Sequence, residues 1–477
     1  MPPTLRSSAS RIRQWASASI NRAGYLRKWL ILGIAIGIIA GLGAVVFYLA
    51  LDYAGRFLLG YLADYQVPQP AGDGGGSGSG SHYSRPWAIP LVAFGGALVS
   101  AILVAMFAPE AEGHGTDSAI EAVHTDPRAI RVRAIIVKTI SSALTIGSGG
   151  SAGREGPAAQ ISAGFGSLLT RQLNLSDDDG RIAVSLGIGS GIGAIFGAPL
   201  GGAVLAASIV YREDFDYRAL IPGFVTSATA YAVFGSIINF DPMFGSVATD
   251  FDFHQPLQLI WFALIGVIAA GVGLLYAKTF YGTVAVTKKL PGGLRTGGAI
   301  LGPVLKPALG GLAVGLLALA LPQILSSGYG WAQLASARDT LMGIPLWVVL
   351  LLPLAKIVAT SLSIGTGGSG GIFGPGIVIG AFTGAAIWRL GELIDAPGLP
   401  DNPGVFVVVA MMACFGSVAH APLAVMIMVA EMTNSFSVIP CAMVTVGIAY
   451  LLVSRTDVSI YRAQRLNRET AGEAPAA

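Results

Sequence analysis

Long apolar runs alternate with short polar or glycine-rich stretches along most of the chain. Windows of about 20 apolar residues are long enough for a helix to span the hydrocarbon core of a bilayer. The clearest are 29–51, 88–108, 182–210, 219–239, 257–277, 299–322, 344–362 and 404–430. Several exceed one span and are interrupted by glycine or proline. The pattern therefore predicts more than ten helices, some tilted and some crossing only half of the membrane.

Composition supports the same class. Of the 477 residues, 53% are hydrophobic and only 12% are charged, whereas roughly a quarter of residues are charged in soluble domains. We therefore expect an all-α, polytopic membrane protein in contact with lipid. The net charge of +3 gives no reason to expect a nucleic-acid partner. No histidine–cysteine cluster or phosphate-binding loop is present, so the sequence predicts neither an enzyme nor a metal or cofactor.

Basic residues mark the beginning of the chain. Six precede the first span, with no acidic residue among them: Arg6, Arg11, Arg13, Arg22, Arg27 and Lys28. The positive-inside rule places such a segment in the cytoplasm, and the segment can also lie on the membrane surface as a basic helix. We expect a cell (inner) membrane protein with a cytoplasmic N-terminus. The low-complexity stretch 69–84 is predicted to be a flexible external linker.

A glycine-rich motif occurs twice. Residues 147–157 read GSGGSAGREGP and residues 365–375 read GTGGSGGIFGP, 218 positions later, with seven of eleven positions identical. A second pair, GAPLGG at 197–202 and HAPLA at 420–424, repeats at nearly the same offset. The chain is thus predicted to contain two homologous halves of inverted topology, as in many transporters.

The proposed division takes the polar stretch 287–297 as its boundary. It gives a basic N-terminal segment at 1–28, a first membrane half at 29–286, a second half at 287–463 and a short polar tail at 464–477. From the length of this tail we expect no folded cytoplasmic regulatory domain.

Glycine before a helix start exposes backbone N–H groups, and these groups favour an anion. In the second copy this backbone precedes Ile372 and Phe373; in the first copy, Arg154 and Glu155 stand at the matching positions. A carboxylate in the place of an anion competes with it, so Glu155 is a candidate gate that opens on protonation. The alternative is a structural ion pair between Arg154 and Glu155.

On these motifs the chain resembles the CLC family of chloride channels and chloride/proton exchangers. GREGP stands at 153–157, the GxFxP motif at 371–375, and the segment of the pore tyrosine at 459–461, so the resemblance covers about residues 29–463. It implies homodimers and transport of chloride or similar small anions.

The resemblance also implies roles for single residues. Glu155 corresponds to the gating and proton-accepting glutamate. The predicted anion contacts are Gly115, Arg154, Gly156, Ile372, Phe373 and Tyr461, with His114 discussed below, and Lys138 corresponds to a buried lysine that adds positive potential. The alternatives are a snorkelling lysine for Lys138 and an interfacial aromatic residue for Tyr461.

Two departures from the family pattern affect these expectations. The family's GSGIP motif here reads Gly113-His114-Gly115-Thr116-Asp117, so a histidine replaces the serine that donates its hydroxyl. His114 either donates an N–H to the anion or points away and leaves the contact to the backbone.

The second departure is at the usual internal proton glutamate, where the chain has Ser208-Ile209; the repeat places Glu431 at the equivalent of Ser208. Glu213, Asp214 and Asp216 are either substitutes or a solvated charge run. The sequence thus predicts a glutamate-gated exchanger of anions for protons, with a passive, voltage- or pH-gated chloride channel as the alternative.

Overall fold

The computed structural model describes residues 17–75, 84–248, 251, 253, 255–290 and 301–469, with Leu301 described by its backbone only. Residues 1–16 of the basic segment, 76–83 of the linker, 291–297 of the boundary stretch and 470–477 of the tail lie outside the described residues. The described residues form helices, and the only β contacts among them are isolated bridges.

The first set of helices includes the first four apolar windows and three helices that lie between the windows 88–108 and 182–210. Its members are α1 (Tyr25–Gly55), α2 (Ala88–Phe107), α3 (Thr116–His124), α4 (Val132–Gly147), α5 (Glu155–Leu173), α6 (Asp177–Phe196), α7 (Pro199–Ser208) and α8 (Tyr217–Ile237). A π-helical turn at Arg56–Leu62 extends α1, and 3₁₀ turns lie at Ala71–Asp73 and Pro109–Ala111.

The second set begins with another long helix. Its members are α9 (Gln258–Lys289), α10 (Leu301–Leu317), α11 (Tyr329–Leu334), α12 (Arg338–Gly343), α13 (Leu346–Ile364), α14 (Phe373–Leu393), α15 (Gly404–Val418), α16 (Pro422–Thr433) and α17 (Ile439–Val453). Two further 3₁₀ turns lie at Pro322–Ile324 and Phe436–Val438.

Helix lengths confirm the predicted mixture of full and partial spans. Within the described residues, seven helices are long and apolar enough to cross a membrane: Tyr25–Leu62, Ala88–Phe107, Tyr217–Ile237, Gln258–Lys289, Leu346–Ile364, Phe373–Leu393 and Phe436–Val453. The apolar windows 182–210 and 404–430 each contain two helices separated by a break before proline. Such breaks are tolerated at membrane depth where protein surrounds them, and α6, α7, α15 and α16 are largely buried.

The two sets of helices pack in matching patterns. In the first set α1 packs on α8 and α5 on α6; in the second set α9 packs on α17 and α14 on α15. The sets meet where α2 packs on α10 and α7 on α16. This order pairs α1 with α9. The packing order favours a division of the chain between α8 and α9. The boundary proposed from the sequence, at residues 287–297, lies later in the chain and stays a prediction.

Glu431 joins the two sets at the start of α7. From the last turn of α16, its Oε1 accepts a hydrogen bond from the Leu200 N–H (3.0 Å) and its Oε2 from the Gly201 N–H (2.7 Å). The first amides of a helix have no partner within that helix, and here a carboxylate from the other set supplies one. Glu431, the repeat equivalent of Ser208, is thus a helix cap.

Replacing Glu431 by alanine is expected to lower stability by about 1–2 kcal/mol, the usual effect of losing an N-terminal cap. Thermal unfolding of the purified protein in detergent measures the change. The exposed Glu213 provides the control, since Glu213→Ala removes a carboxylate that caps no helix. Equal melting temperatures for Glu431→Ala and Glu213→Ala would contradict the capping role.

Candidate functional site

The two glycine motifs lie side by side. The Gly153 N–H donates to the Gly371 carbonyl (2.8 Å), and the Gly371 N–H donates to the Gly153 carbonyl (2.7 Å). This reciprocal pair forms an antiparallel bridge, so the two copies are related by a local two-fold axis. The bridge brings the first residues of α5 and α14 together.

A third helix start joins this pair. The Gly113 N–H donates to the Gly368 carbonyl (3.0 Å), which ties the segment before α3 to the second glycine motif. The backbone of α5 approaches closely from the other side: a Cβ placed on Gly156 would lie 2.1 Å from the His114 carbonyl oxygen. The N-termini of α3, α5 and α14 therefore converge, and each end carries about half a positive charge.

Two buried lysines hold the loops ahead of the short helices. Lys138 is 0% exposed, and its Nζ donates to the carbonyls of Ala111 (3.0 Å) and Gly113 (2.7 Å). It lies inside α4 and does not snorkel. Lys356, 218 residues later, is equally buried and donates to the carbonyls of Ile324 and Ser326, both at 2.8 Å.

The loops held by these lysines end alike. Gly115 (φ +85°) precedes α3, and Gly328 (φ +83°) precedes α11. This left-handed backbone conformation suits glycine. The two sets of helices thus use the same construction, a buried lysine on loop carbonyls followed by a glycine turn, to fix the start of a short helix.

Glu155 is the first residue of α5, and its side chain reaches the start of α14. The side chain is 0% exposed; its Oε2 accepts from the Gly374 N–H (3.0 Å), and its Oε1 accepts from the Tyr329 hydroxyl. An anion would use this same amide-rich position. The carboxylate thus satisfies an N–H group at the start of α14.

Arg154 turns away from Glu155. Its Nη1 contacts the two carboxylate oxygens of Asp73 at 3.0 and 2.9 Å, and its guanidinium lies over the rings of Tyr48 and Tyr329. The structural pair between Arg154 and Glu155 is therefore absent. Asp73, in the stretch predicted to be a plain linker, anchors this arginine beside a cavity of about 520 Å³. The Arg154 side chain thus contacts Asp73 and Tyr329 rather than the Glu155 carboxylate.

Aromatic rings line the region between α14 and the C-terminal segment. Phe373 packs on Phe415 (4.4 Å between ring centroids), which contacts Tyr461 (6.1 Å). Tyr461 is buried and is not an interfacial aromatic residue. The Tyr276 hydroxyl donates to the Ile372 carbonyl (2.8 Å), which fixes the backbone just before α14.

His114 lies against Tyr461, with 5.9 Å between the ring centroids. Its Nε2 is 3.1 Å from Asp117 Oδ2. Asp117 also accepts hydrogen bonds from the Tyr281 hydroxyl and the Ala463 N–H, both at 3.2 Å. The aspartate in place of the family's proline thus connects α3, α9 and the segment that carries Tyr461.

Two of the inner acids considered from the sequence have structural partners. Asp216 pairs with Arg468 (2.6 Å), and Asp214 accepts from the Arg468 N–H (2.7 Å). These aspartates attach the C-terminal segment to the start of α8 and are not part of a solvated charge run, whereas Glu213 is exposed. At the expected position of the internal glutamate, the Ser208 hydroxyl donates to the Val204 carbonyl of its own helix (3.0 Å), and Ile209 is buried.

Three residues at the site escaped the sequence reasoning: Tyr329, Lys356 and Asp73. Lys356 had a signal, because it lies at the offset of the glycine repeat from Lys138. Tyr329 and Asp73 had none, since neither stands in a repeated motif.

Comparison with known proteins identifies relatives along most of the chain. Residues 96–454 match the family described as voltage gated chloride channel. The H(+)/Cl(-) exchange transporter ClcA of Vibrio parahaemolyticus is 31% identical over 72% of this chain and 71% of that protein.

Two solved structures share the fold. A slow cyanobacterial Cl-/H+ antiporter has a TM-score of 0.74 at 22% identity, covering 93% of this chain and 98% of the other. A CLC-type fluoride/proton antiporter has a TM-score of 0.73 at 21% identity, covering 92% and 98%.

Proposed function

The chain belongs to the voltage-gated chloride channel (CLC) family and is an integral membrane protein; on that premise we propose that it exchanges chloride or a similar small anion for protons. The observation that carries the proposal is the Glu155 carboxylate bound to the first turn of α14. Relatives also support the proposal. ClcA of Vibrio parahaemolyticus is an exchange transporter, and two proteins with a similar fold are antiporters.

The converging helix starts provide a binding site of moderate strength. Desolvating an anion costs several kcal/mol, and partial charges with N–H donors offset this cost without a direct ion pair. Lys138 and Lys356 use their ammonium groups on loop carbonyls, so they add positive potential from a distance. Transport requires an anion that binds and also leaves, and this arrangement meets both conditions.

Glu155 is proposed to act as the gate. As a carboxylate it accepts the hydrogen bond of the Gly374 N–H and thereby excludes the anion. On protonation it loses its charge, its hold on α14 weakens, and an anion takes its place next to the amides of Ile372 and Phe373. A gate that must gain and lose a proton couples anion movement to protons.

The second candidate is a passive chloride channel. The observation in its favour is the absence of an acid at Ser208-Ile209, where the Ser208 hydroxyl is engaged with its own helix. The homodimer and the cytoplasmic N-terminus stay predictions from the family resemblance and the basic segment.

Flux from liposomes tests the proposed function. Purified protein is reconstituted into vesicles loaded with potassium chloride or potassium fluoride, and anion, potassium and proton movements are recorded separately. We expect anion efflux accompanied by proton uptake, with potassium moving only through added ionophore. Potassium flux without anion flux would contradict the proposal, and anion flux without proton movement would favour the channel.

Replacing Tyr329 by phenylalanine is expected to shift anion flux to higher pH. The Tyr329 hydroxyl donates to ionised Glu155 and so stabilises the closed gate. A hydrogen bond to a charged group contributes about 1.5 kcal/mol or more, equivalent to about one pH unit. Without it Glu155 gains its proton more readily, so the pH of half-maximal flux rises.

The matched control is Tyr231→Phe, because the Tyr231 hydroxyl donates a long, exposed hydrogen bond to the Phe240 carbonyl (3.4 Å) and none to a carboxylate among the described residues. Flux is measured in liposomes over a range of symmetrical pH values. A profile for Tyr329→Phe that coincides with those of the control and the unmodified protein would remove Tyr329 from the gate.

A further inference from the structure

The pathway needs a titratable group on the side away from Glu155. The expected position holds Ser208, and the nearby aspartates are engaged with Arg468. One pair of titratable side chains nevertheless reaches the pore tyrosine, and it lies on α3 and the turn before it. We propose that His114 and Asp117 together form the inner proton acceptor, an inference that rests on the proposed exchange function.

The pair connects a buried ring to the solvent. The His114 side chain is 7% exposed, whereas that of Asp117 is 27% exposed, and Nε2 lies 3.1 Å from Oδ2. Asp117 thus exchanges protons with water while His114 stays within the protein.

The second nitrogen of the ring is available. Nδ1 of His114 is buried and has no hydrogen-bond partner, which is rare for a buried polar atom. The ring packs between Phe280 (6.1 Å) and Tyr461 (5.9 Å), at the wall of the proposed anion path. A ring bound to a carboxylate through one nitrogen and free at the other can receive a proton on one side and release it on the other.

The transfer balances with one proton and no other reactant. With Nε2–H donated to Asp117, Nδ1 carries the free lone pair. A proton that leaves Glu155 binds to Nδ1 and forms an imidazolium. The Nε2 proton then passes to the Asp117 carboxylate and from there to water, and the ring is neutral again in its other tautomer. The reverse order carries a proton towards Glu155.

Neighbouring charges connect this protonation to the anion. From α4 the Lys138 ammonium contacts the Gly113 carbonyl (2.7 Å), and from the C-terminal segment the Arg462 guanidinium lies over the Tyr281 ring (3.7 Å). These cations oppose an imidazolium, whereas Asp117, Glu155 and a bound anion favour one.

Proton and chloride fluxes of matched variants test the pair. His114→Gln and Asp117→Asn remove the titrating groups and keep similar size, so the number of protons moved per chloride is expected to fall by about tenfold or more. Asp117→Glu restores a carboxylate and should recover most of the ratio. Glu213→Gln, at an exposed acid of the other candidate group, should keep the ratio of the unmodified protein.

The number of protons moved per chloride distinguishes a failure of the exchange function from a failure of the His114–Asp117 role. An unmodified protein without coupled flux would contradict the exchange function itself, whereas coupled flux with normal ratios in both variants would overturn only the role of the pair. If His114→Gln abolishes chloride flux, Asp117→Asn decides the matter, because Asp117 is not among the predicted anion contacts. A normal ratio in Asp117→Asn would then contradict the inference.

Discussion

Replacing Glu155 by glutamine is expected to reduce proton movement to background and to make chloride flux independent of pH. Glutamine resembles the protonated glutamate in size and neutrality, but it cannot release a proton. In the unmodified protein the ionised carboxylate accepts from the Gly374 N–H, so flux should fall as pH rises and ionises more of the gate. The variant has no such ionisation and should conduct equally at every pH tested.

The measurement compares chloride efflux and proton uptake at several pH values. Glu121→Gln is the matched control, since Glu121 is exposed and forms a long ion pair with Arg465 (3.8 Å). The control should retain both coupled flux and the pH dependence. Unchanged pH dependence in Glu155→Gln would remove Glu155 from the mechanism.

Replacing Gly156 by alanine is expected to lower chloride flux by about tenfold or more, because displacements near 1 Å at a functional site have effects of this size. The added Cβ would lie 2.1 Å from the His114 carbonyl oxygen and 2.9 Å from Gly371 Cα. Both neighbours are backbone atoms, which cannot rotate away. The starts of α3, α5 and α14 would have to separate, and their N–H groups would no longer converge.

Gly271→Ala is the control for this variant. Gly271 lies within α9, and a Cβ added there would have no atom within 4 Å. Alanine should therefore be tolerated at this position, and its better helix propensity is slightly favourable. Gel filtration and thermal unfolding distinguish a folded protein with low flux from one that fails to fold. Normal flux in Gly156→Ala would contradict the close convergence of the helix starts.

Local sequence signals predicted most of the helices and one side of the gate. Apolar length and breaks before proline predicted five of the seven long spans among the described residues and the broken windows, because these properties depend on neighbouring residues; the spans Phe373–Leu393 and Phe436–Val453 lie outside the predicted windows. The glycine motifs placed Glu155 beside the start of α14, since a repeated exposed backbone has few other uses inside a membrane protein. The same offset would have identified Lys356, had it been applied outside the motifs.

Contacts between distant residues carried no such signal. Tyr329 reaches Glu155 across 174 residues and Arg154 reaches Asp73 across 81, and no local pattern marks either pair. Glu431 shows a related difficulty: the repeat placed it correctly as the equivalent of Ser208, but only the structure shows that it caps α7. Side-chain direction and partner depend on packing between helices, which a single sequence does not determine.

The reversal potential under a pH gradient tests the central claim, coupled exchange of anions and protons. Protein in a planar bilayer is given equal chloride on both sides and different pH on each side. Coupled exchange predicts a reversal potential displaced from zero towards the proton equilibrium potential, and a return to zero in Glu155→Gln. A reversal potential of zero in the unmodified protein would contradict coupled exchange and leave a passive chloride channel.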